Sequence, residues 1–465
     1  MVASGAKIGE RGGLPATLSG SPADVLTLFL RLLPAEYFDG LEASQRRRQN
    51  NRVYTNAVVM WLLIAQRLQA NGTLETAVLE LVRGLPEVFW PEPCKRLQVG
   101  PEGQKPKLSS NTASYDAARQ ALPVKVVEQA FERVFEDLIR ETAPLAEAGR
   151  RAFFLDGTTV RMPHTAALCA AYPPGSNQHG ECHWPLLRML VAHDLDTGLA
   201  MRPQWGPVHG DQAVSEQGLL ELAIDRLPKY AVLVGDANFG VFSVAYAADQ
   251  RSRPVVLRLS SVRAQCLAGG PLQDGTDRRI QWKPTRWDRK SHPQLPADAC
   301  VEGRLIVRQV QPSDGKAPFL LALFTTLKDH ADQIIAIYGK RWDIETDLRH
   351  LKGTLGLEQL TCIRPEMVAK EIDAALMTYN LVRGVTCLAA QKAGLPPRSF
   401  SFKRVRNVIH AFTPLIAAAK DQQEAAELVE RMMYYVGQAK LYQRKRPSYP
   451  RAVWGNPRTF PTRKA

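Results

Sequence analysis

Hydrophobic residues recur at helical spacing through the first third of the chain. Apolar positions at intervals of three and four predict amphipathic helices in residues 26–33, 57–65 and 74–85. After a proline-rich linker, residues 109–138 also predict helix, with Pro123 beginning or breaking a segment. Residues 1–20 are Gly-rich and lack periodicity, which is typical of disorder. We therefore predict an α-helical domain over residues 21–145.

The pattern changes at Arg151 to short apolar runs bounded by turn residues. The run before Asp156 is halted by Asp-Gly, and two further apolar stretches flank Asp196-Thr197-Gly198. These runs predict neighbouring strands of one hairpin-rich sheet. Residues 215–227 predict an amphipathic helix, and the run AVLVG predicts a buried strand that ends at Asp236. The order of elements predicts an α/β core whose first part is residues 150–252.

Residues 253–327 differ in composition from their surroundings. Three strand-like runs flank a basic stretch that contains tryptophan, which predicts an inserted β unit. Helices resume at His330, so residues 328–395 are predicted to complete the core. Residues 396–465 are predicted to form a C-terminal helical region and a basic, proline-rich tail.

Charge and length narrow the class of protein. A chain of 465 residues suggests two to four folding units. The net charge of +14 is large for an enzyme of small molecules and natural for one that approaches polyphosphate, so nucleic acid is the leading partner. No secretory signal is evident, and the longest apolar run is too short to cross a bilayer. Seven scattered cysteines give no disulfide framework, so we expect a soluble protein of the cytoplasm.

A stripe of polar residues marks one predicted helix. Tyr338, Arg341, Glu345 and Lys352 stand at offsets of three, four and seven, which fit one helical face. A carboxylate there can hold a divalent cation while the guanidinium, ammonium and phenol grip phosphate oxygens. Alternatively, the pairs of Arg341 with Glu345 and of Glu345 with Arg349 lace a solvated helix with salt bridges.

Two aspartates occupy equivalent positions at the ends of predicted strands. Asp156 and Asp236 each close an apolar run, and carboxylates at the ends of adjacent strands converge on one edge of a sheet. With Glu345 from a helix, they form an oxygen-lined site for two divalent cations, which suits in-line phosphoryl transfer. As alternatives, Asp156-Gly157 is a hairpin turn, and Asp236 is a helix N-cap or an Asx-turn.

Other candidate sites rank lower. Three further acids lie in turn or loop segments: Asp194, Asp196 and Asp211. A possible zinc cluster lacks a second pair of ligands at suitable spacing and is interpreted as loop chemistry: His179, Cys182 and His183. The phosphate-binding loop, the dinucleotide fingerprint and the serine nucleophile elbow are absent, so ATP hydrolysis and serine hydrolysis lose support.

These residues together resemble the DDE transposases of the insertion-sequence-four family. That family's signature is Tyr, two residues, Arg, three, Glu, six, Lys, and the stripe beginning at Tyr338 matches every spacing. FLDGTTVRMP resembles the first acid block, around Asp156, and GDANFG resembles the second, around Asp236. One departure is Asn238, where the family often has Gly. Since Asn tolerates the left-handed conformation, we expect the turn to survive.

The resemblance implies a fold and an activity. The fold is a ribonuclease-H-like core interrupted by a β insertion, behind an α-helical N-terminal DNA-binding domain. The activity is cut-and-paste transposition with Mg²⁺, or Mn²⁺ in its place, through a hairpin intermediate. Tyr338, Arg341 and Lys352 would grip phosphates near the cleaved end and a flipped base. The expected partners are transposon ends and target DNA, and the expected setting is a homodimer in the bacterial cytoplasm, associated with the nucleoid when bound to DNA.

A flipped base needs an aromatic platform, and the predicted insertion offers two. Trp282 or Trp287 would stack on the base, with Arg286 among the surrounding basic residues; alternatively, one tryptophan packs a small core. Arg46 to Arg48 would contact backbone phosphates of the inverted repeats. Two other functions stay open: a DNA-binding protein of this fold without catalysis, and a metal-dependent nuclease without strand transfer.

Overall fold

The fold is described from a computed structural model. It gives the structure of residues 23–44, 53–69, 72–97, 108–145, 150–177, 180–311 and 317–441. The predicted disorder of residues 1–20, the Arg46–Arg48 cluster, His179 and the tail beyond residue 441 lie outside these ranges. Within them, no helix is both long and apolar enough to span a bilayer. None of the seven cysteines, all of which lie in these ranges, forms a disulfide.

Six α-helices of the described residues precede the sheet. They are α1 (Val25–Leu32), α2 (Ala35–Ser44), α3 (Asn56–Leu68), α4 (Leu74–Arg83), α5 (Ala113–Ala121) and α6 (Val124–Glu141). Side-chain caps fix several of their starts: Asp24 accepts from the amide of Thr27 at 2.7 Å, and Thr73 forms a capping box with Thr76. Pro123 is the N-cap of α6, so the helical pattern of residues 109–138 is divided there.

Nine strands of the described residues form one mixed sheet. They are β1 (Ala152–Arg161), β2 (Pro174–Asn177), β3 (Gly180–Asp194), β4 (Gln204–Pro207), β5 (Val232–Gly235), β6 (Val255–Arg258), β7 (Asp277–Trp282), β8 (Val301–Val310) and β9 (Phe319–Thr325). The order is β2-β3-β1-β5-β6-β9-β8-β7, with β4 paired to β3. β1, β5 and β6 run parallel, and the other pairings are antiparallel.

One feature of the sheet differs from the sequence-based expectation. β1 is not halted by Asp156-Gly157, because β3 continues to pair with it as far as Arg161 opposite Leu186. The strands of residues 253–327, which the sequence predicts as an inserted β unit, extend the central sheet. β6 pairs directly with β5, and β9, β8 and β7 follow it outward.

The remaining helices lie between and after the strands. They are α7 (Ala166–Ala171), α8 (Glu216–Ala223), α9 (Phe242–Asp249), α10 (Ser261–Ala268), α11 (Arg286–Ser291), α12 (Ala331–Gly339), α13 (Arg341–Arg349), a π-helix (His350–Thr354), α14 (Pro365–Ala393), α15 (Phe402–Ala417) and α16 (Gln422–Gly437). The longest, α14, is buried over most of its length and contacts α1, α3 and α6. It joins the N-terminal helices to the sheet.

The two faces of the sheet pack against different helices, because successive residues of a strand point to opposite sides. Phe153 and Leu155 of β1 belong to the larger apolar core, which includes α14 and the N-terminal helices. Phe154 of β1 and Val234 of β5 belong to a smaller core with α12 and Ile344 of α13. The smaller core therefore seats α12 and α13 on one face of the central strands.

Candidate active site

Two aspartates lie side by side at the centre of the sheet. The parallel register of β1 and β5 pairs Leu155 with Gly235, so the next residues, Asp156 and Asp236, are level with each other. β5 ends at Gly235, whereas β1 continues beside β3 with Asp156 opposite Val191. Asp156 therefore lies within a strand and not in a hairpin turn. Asp236 does form the hydrogen bond of an Asx-turn, because its Oδ1 accepts from the backbone amide of Asn238 at 2.9 Å.

Asp156 is crowded by negative charge. Burial raises the pKa of its carboxyl to about 7, and the carboxylates of Asp236, Glu216 and Glu345 add to that rise. Within the described residues, neither aspartate forms an ion pair with Lys, Arg or His, and nor does Glu216. The centre of the sheet thus carries three acids, Asp156, Asp236 and Glu216, that have no direct ion-pair partner among the described residues.

The polar stripe does not lie on one continuous helix, so that prediction was wrong. Tyr338 belongs to α12, which ends before Lys340, and Arg341 begins α13. The Lys340 amide donates to the carbonyl of Ile337, three residues earlier, at 3.3 Å. An α-helix would use the carbonyl four residues earlier, so the α-helical pattern is broken here. Lys352 lies in the π-helix, where the turns are wider. Both irregularities change the direction of the side chains along the stripe.

Glu345 stands between a cation and the aspartates. Arg341 Nη1 donates to Glu345 Oε1 at 2.8 Å, which is the ion pair that the alternative interpretation of the stripe predicted. Glu345 is also close enough to contribute to the raised pKa of Asp156. In the part of the chain that the structure describes, no three His, Cys, Asp or Glu side chains are already assembled to hold a metal ion. The acids are neighbours that have not converged on one point.

The chemistry of these donors nevertheless suits a divalent cation. Asp156, Asp236 and Glu345 offer only carboxylate oxygens, the ligands that hard cations such as Mg²⁺ and Mn²⁺ prefer. A bound cation would offset the repulsion that raises the pKa of Asp156. Convergence of Glu345 requires a new side-chain direction away from Arg341, and this is available because the Glu345 side chain is 39% exposed.

Cationic and phenolic groups surround the acids. The register of β5 and β6 pairs Gly235 with Leu257, so Arg258 is level with Asp236 on the next strand. Tyr338 is 5% exposed, and its hydroxyl has no hydrogen-bond partner of good geometry among the described residues. Burial raises the pKa of this phenol, while nearby Arg258 and Arg341 lower it. A buried donor flanked by two guanidinium groups suits a phosphate oxygen.

The helix that carries Glu345 is anchored by a buried carboxylate two residues further on. Asp347 is fully buried and accepts hydrogen bonds from Arg383 and, at 2.8 Å, from Arg398. Although burial acts to raise it, these two guanidinium groups hold the pKa of Asp347 well below its usual range. Lys340 adds a second anchor through an ion pair with Asp196 at 2.7 Å.

The competing acids have structural surroundings. Asp194 is fully buried, pairs with Arg151 at 2.7 Å and accepts from the Thr197 amide at 3.2 Å, which forms the predicted turn. Asp211 is exposed in its loop. In the suggested zinc cluster, the His183 ring stacks on the ring of His164 at 5.1 Å. Among the described residues, which do not include His179, no three such side chains are assembled to hold a metal ion there.

The two tryptophans of the predicted platform differ in exposure. Trp282, at the end of β7, is 2% exposed and packs with its ring centroid 4.8 Å from that of Phe324. It presents no face to a base in this structure, and its surroundings are those of the alternative packing role. Trp287, in the first turn of α11, is 74% exposed, and the Lys290 ammonium lies 5.5 Å from its ring centroid. Arg286 beside it is also exposed.

Sequence patterns missed two residues at the site, Arg258 and Glu216. Arg258 ends the strand-like run VVLR, and its importance depends on the neighbouring strand being Val232–Gly235. Glu216 is in the first turn of α8, where an acid is ordinary because of the helix dipole. The available signal was position: α8 leads into the strand that ends at Asp236.

Comparison with known proteins identifies the family. The family model described as the transposase DDE domain matches residues 147–381, which is just over half of the chain. A curated relative, the transposase InsG for insertion sequence element IS4 of Escherichia coli (strain K12), is 24% identical over 375 residues. The alignment covers 79% of this chain and 81% of the relative. Transposases of this class act on DNA and generally use divalent metal ions. The chain belongs to the DDE transposases of the insertion-sequence-four family.

Proposed function

We propose that this transposase works by cut and paste, cleaving DNA at the element's ends and joining those ends to target DNA. Asp156, Asp236 and Glu345 are the catalytic carboxylates. The observation that carries the proposal is the level register of the two aspartates, which face Glu345 on a helix anchored to the same face of the sheet. The raised pKa of Asp156 supports it, since such crowding has no structural benefit of its own.

The core is of the ribonuclease-H-like type. The strand order β3-β1-β5-β6, with one antiparallel pairing followed by two parallel ones, supports this assignment. Each parallel connection passes through a helix, α8 and then α9. The strands between β6 and α12 are then an insertion that widens the sheet of the core.

Asp156, Asp236 and Glu345 would hold the divalent cations, Mg²⁺ or Mn²⁺. When bound, a pair of such cations supplies activation of a water molecule or a 3′-hydroxyl and stabilisation of the leaving oxygen. The protein's own part is to place oxygens at the strand ends and to bring Glu345 toward them. Arg341 would exchange its ion pair with Glu345 for a phosphate of the DNA end.

Cationic side chains position the DNA end. Arg341 and Arg258 offer rigid guanidinium forks near the Tyr338 hydroxyl, and Lys352 offers a point charge from the π-helix. Phosphate contacts of this kind fix the register of the duplex without reading its sequence. In this proposal the N-terminal helices bind the terminal inverted repeats. A homodimer holds the two element ends together.

A hairpin intermediate requires a base to leave the stack, and Trp287 is the platform for it. Its indole is exposed beside cationic Arg286 and Lys290, and stacking contributes about 1–3 kcal/mol per base. Trp287→Ala should reduce hairpin formation on a pre-nicked end while leaving nicking itself intact. Tyr434→Ala, which removes a 64% exposed aromatic from α16, is the matched control. A normal yield of hairpin from the Trp287 variant would refute the role of this indole as the stacking platform.

The decisive test is cleavage of supercoiled DNA that carries the element's ends. Asp156→Asn should abolish Mg²⁺-dependent cleavage and strand joining while end binding, measured by mobility shift, persists. Asp211→Asn, the same change at an exposed acid, should leave both activities intact. Cleavage by the Asp156 variant would refute the assignment. Wild-type protein that binds ends without cutting them would favour the non-catalytic alternative, and cutting without joining would favour the nuclease.

A further inference from the structure

We propose that Glu216 is a fourth carboxylate of the metal site and binds a divalent cation together with Asp156 and Asp236. The proposal rests on the function proposed above, because it adds a ligand to the same site. Glu216 lies outside the Tyr-Arg-Glu-Lys signature and outside both acid blocks. It begins α8, the helix that leads from the β3–β4 region into β5.

The carboxylate of Glu216 lies directly over the backbone of β1. A Cβ atom built on Gly157 would stand 2.1 Å from both Cδ and Oε1 of Glu216, so a side chain at position 157 would collide with the carboxylate. Gly157 follows Asp156 in the chain, so the Glu216 carboxylate lies against the strand residue next to the first aspartate. The absence of a side chain at Gly157 leaves the space that Glu216 occupies.

A chain of hydrogen bonds ties Glu216 to the second aspartate. Asn238 Nδ2 donates to Glu216 Oε2 at 2.5 Å, and the Asn238 amide donates to Asp236 Oδ1 at 2.9 Å. Gln217 Nε2 donates to the Asn238 carbonyl at 2.6 Å and holds the same loop. Asn238 has no positive φ, so its role is not the left-handed turn that the sequence suggested. Its side chain instead connects the start of α8 to the end of β5.

A purely structural role does not account for the charge of Glu216. An acid in the first turn of a helix gains from the dipole, but it gains as much when it points to solvent. A glutamine would accept the same hydrogen bond from Asn238 without repelling Asp156. Among the described residues no cation pairs with Glu216. A carboxylate kept beside two others without compensation is explained by a divalent cation that all of them bind.

The test measures metal binding by the full-length protein without DNA, so that it does not depend on activity. Mn²⁺ alone is titrated into each variant, and the free ion is followed by its electron paramagnetic resonance signal. Glu216→Gln should weaken Mn²⁺ binding about tenfold or more, by analogy with the cost of altering groups around a bound metal. Glu221→Gln, which removes an exposed charge from the same helix, should bind within about twofold of wild type.

Thermal melting in EDTA provides a second readout. Because Glu216→Gln keeps the hydrogen bond and removes a like charge from beside Asp156, it should melt no lower than wild type. Added Mn²⁺ should raise its melting temperature less than that of wild type or of Glu221→Gln. A clearly lower melting temperature in EDTA would make Glu216 a structural residue and overturn the proposal.

Asp156→Asn separates this inference from the function on which it rests. If Asp156→Asn loses Mn²⁺ binding while Glu216→Gln keeps wild-type affinity, the fourth ligand is refuted and the three-carboxylate site stands. If Asp156→Asn itself binds Mn²⁺ like wild type and still cleaves DNA, the proposed active site fails, and the fourth ligand fails with it.

Discussion

The crowding of Asp156 leads to a prediction about stability that needs no DNA. In the metal-free protein, Asp156→Asn should be more stable than wild type at neutral and alkaline pH. The wild-type carboxyl must ionise while largely buried and beside the carboxylates of Asp236, Glu216 and Glu345. An amide of the same shape carries no charge and avoids that cost. A substitution that abolishes cleavage is thus expected to stabilise the fold.

The magnitude follows from the pKa of Asp156, which is about 7 in the folded protein against an ordinary value of 3.8. At 1.36 kcal/mol per unit, ionisation costs about 4 kcal/mol more in the folded protein than in the unfolded chain. Because the folded pKa is the higher one, this stability is fully present below about pH 4 and is lost as the pH rises through about 7. Asp156→Asn lacks that dependence.

The assay is urea unfolding of both proteins in EDTA at about pH 5 and about pH 8. Between these two values the wild-type free energy of unfolding should fall by about 3 kcal/mol relative to the Asn variant. Subtracting the free energy of unfolding of Asp156→Asn from that of wild type at each pH removes the contributions of other titrating groups. The control variant Asp211→Asn should behave as wild type. Mn²⁺ should stabilise wild type at the higher pH and not Asp156→Asn. A relative fall below about 1 kcal/mol would refute the reasoning from crowded carboxylates.

Three further predictions concern residues around the acids. Asp347→Asn leaves Arg383 and Arg398 without a buried counter-charge, so the free energy of unfolding should fall by about 3–5 kcal/mol, and an unchanged urea midpoint would contradict it. Trp282→Ala should cost a similar amount, about 3–5 kcal/mol, because it empties a packed site; differential scanning calorimetry against wild type checks this. Lys352→Ala should weaken end binding and lower the slope of log K against log salt by about one, and an unchanged slope would remove its phosphate contact.

The positions of the strand acids were largely predictable from sequence. Two short apolar runs end in Asp, and an amphipathic helix leads into the second run, which favours parallel neighbours whose ends are level. The structure has that arrangement, with Leu155 opposite Gly235. The local pattern could not predict how far β3, the neighbour of β1 on the edge away from β5, would pair with it. β1 passes through Asp156 because β3 is long enough to pair with it, and the length of a partner strand is not written in the residues of β1.

The signature stripe shows a different limit. Its offsets predict turns of one α-helix, yet the helix breaks at Lys340 and widens to a π-helix at residues 350–354. Contacts far away in sequence accompany the break, since Lys340 pairs with Asp196 across 144 residues. Periodicity measures local preference, and it cannot register an ion pair whose partner lies on another element. The residue types of the stripe were informative even though its regular geometry was not.

Charge compensation separates the acids that hold the fold from those assigned to chemistry. Among the described residues, Asp347 is balanced by two guanidinium groups, Asp194 by Arg151, and Asp373 by Arg202. In the part of the chain that the structure describes, Asp156 has no such partner, and neither do Asp236 and Glu216. A fold can bury paired charges at modest net cost, but unpaired ones destabilise it.

Glu345 lies between these two groups, and α13 shows why. Asp347 fixes the helix from its buried side, so the backbone beneath Glu345 stays in place when the side chain moves. Among the described residues, Glu345 itself is held by the partly exposed ion pair with Arg341, and such pairs contribute about 0–1 kcal/mol. In the proposed function, a divalent cation and a phosphate would therefore replace this pair at little cost, the carboxylate turning to the metal and the guanidinium to the DNA end. In this arrangement the rigid anchor and the weak ion pair are both needed for the site to assemble when its substrates arrive.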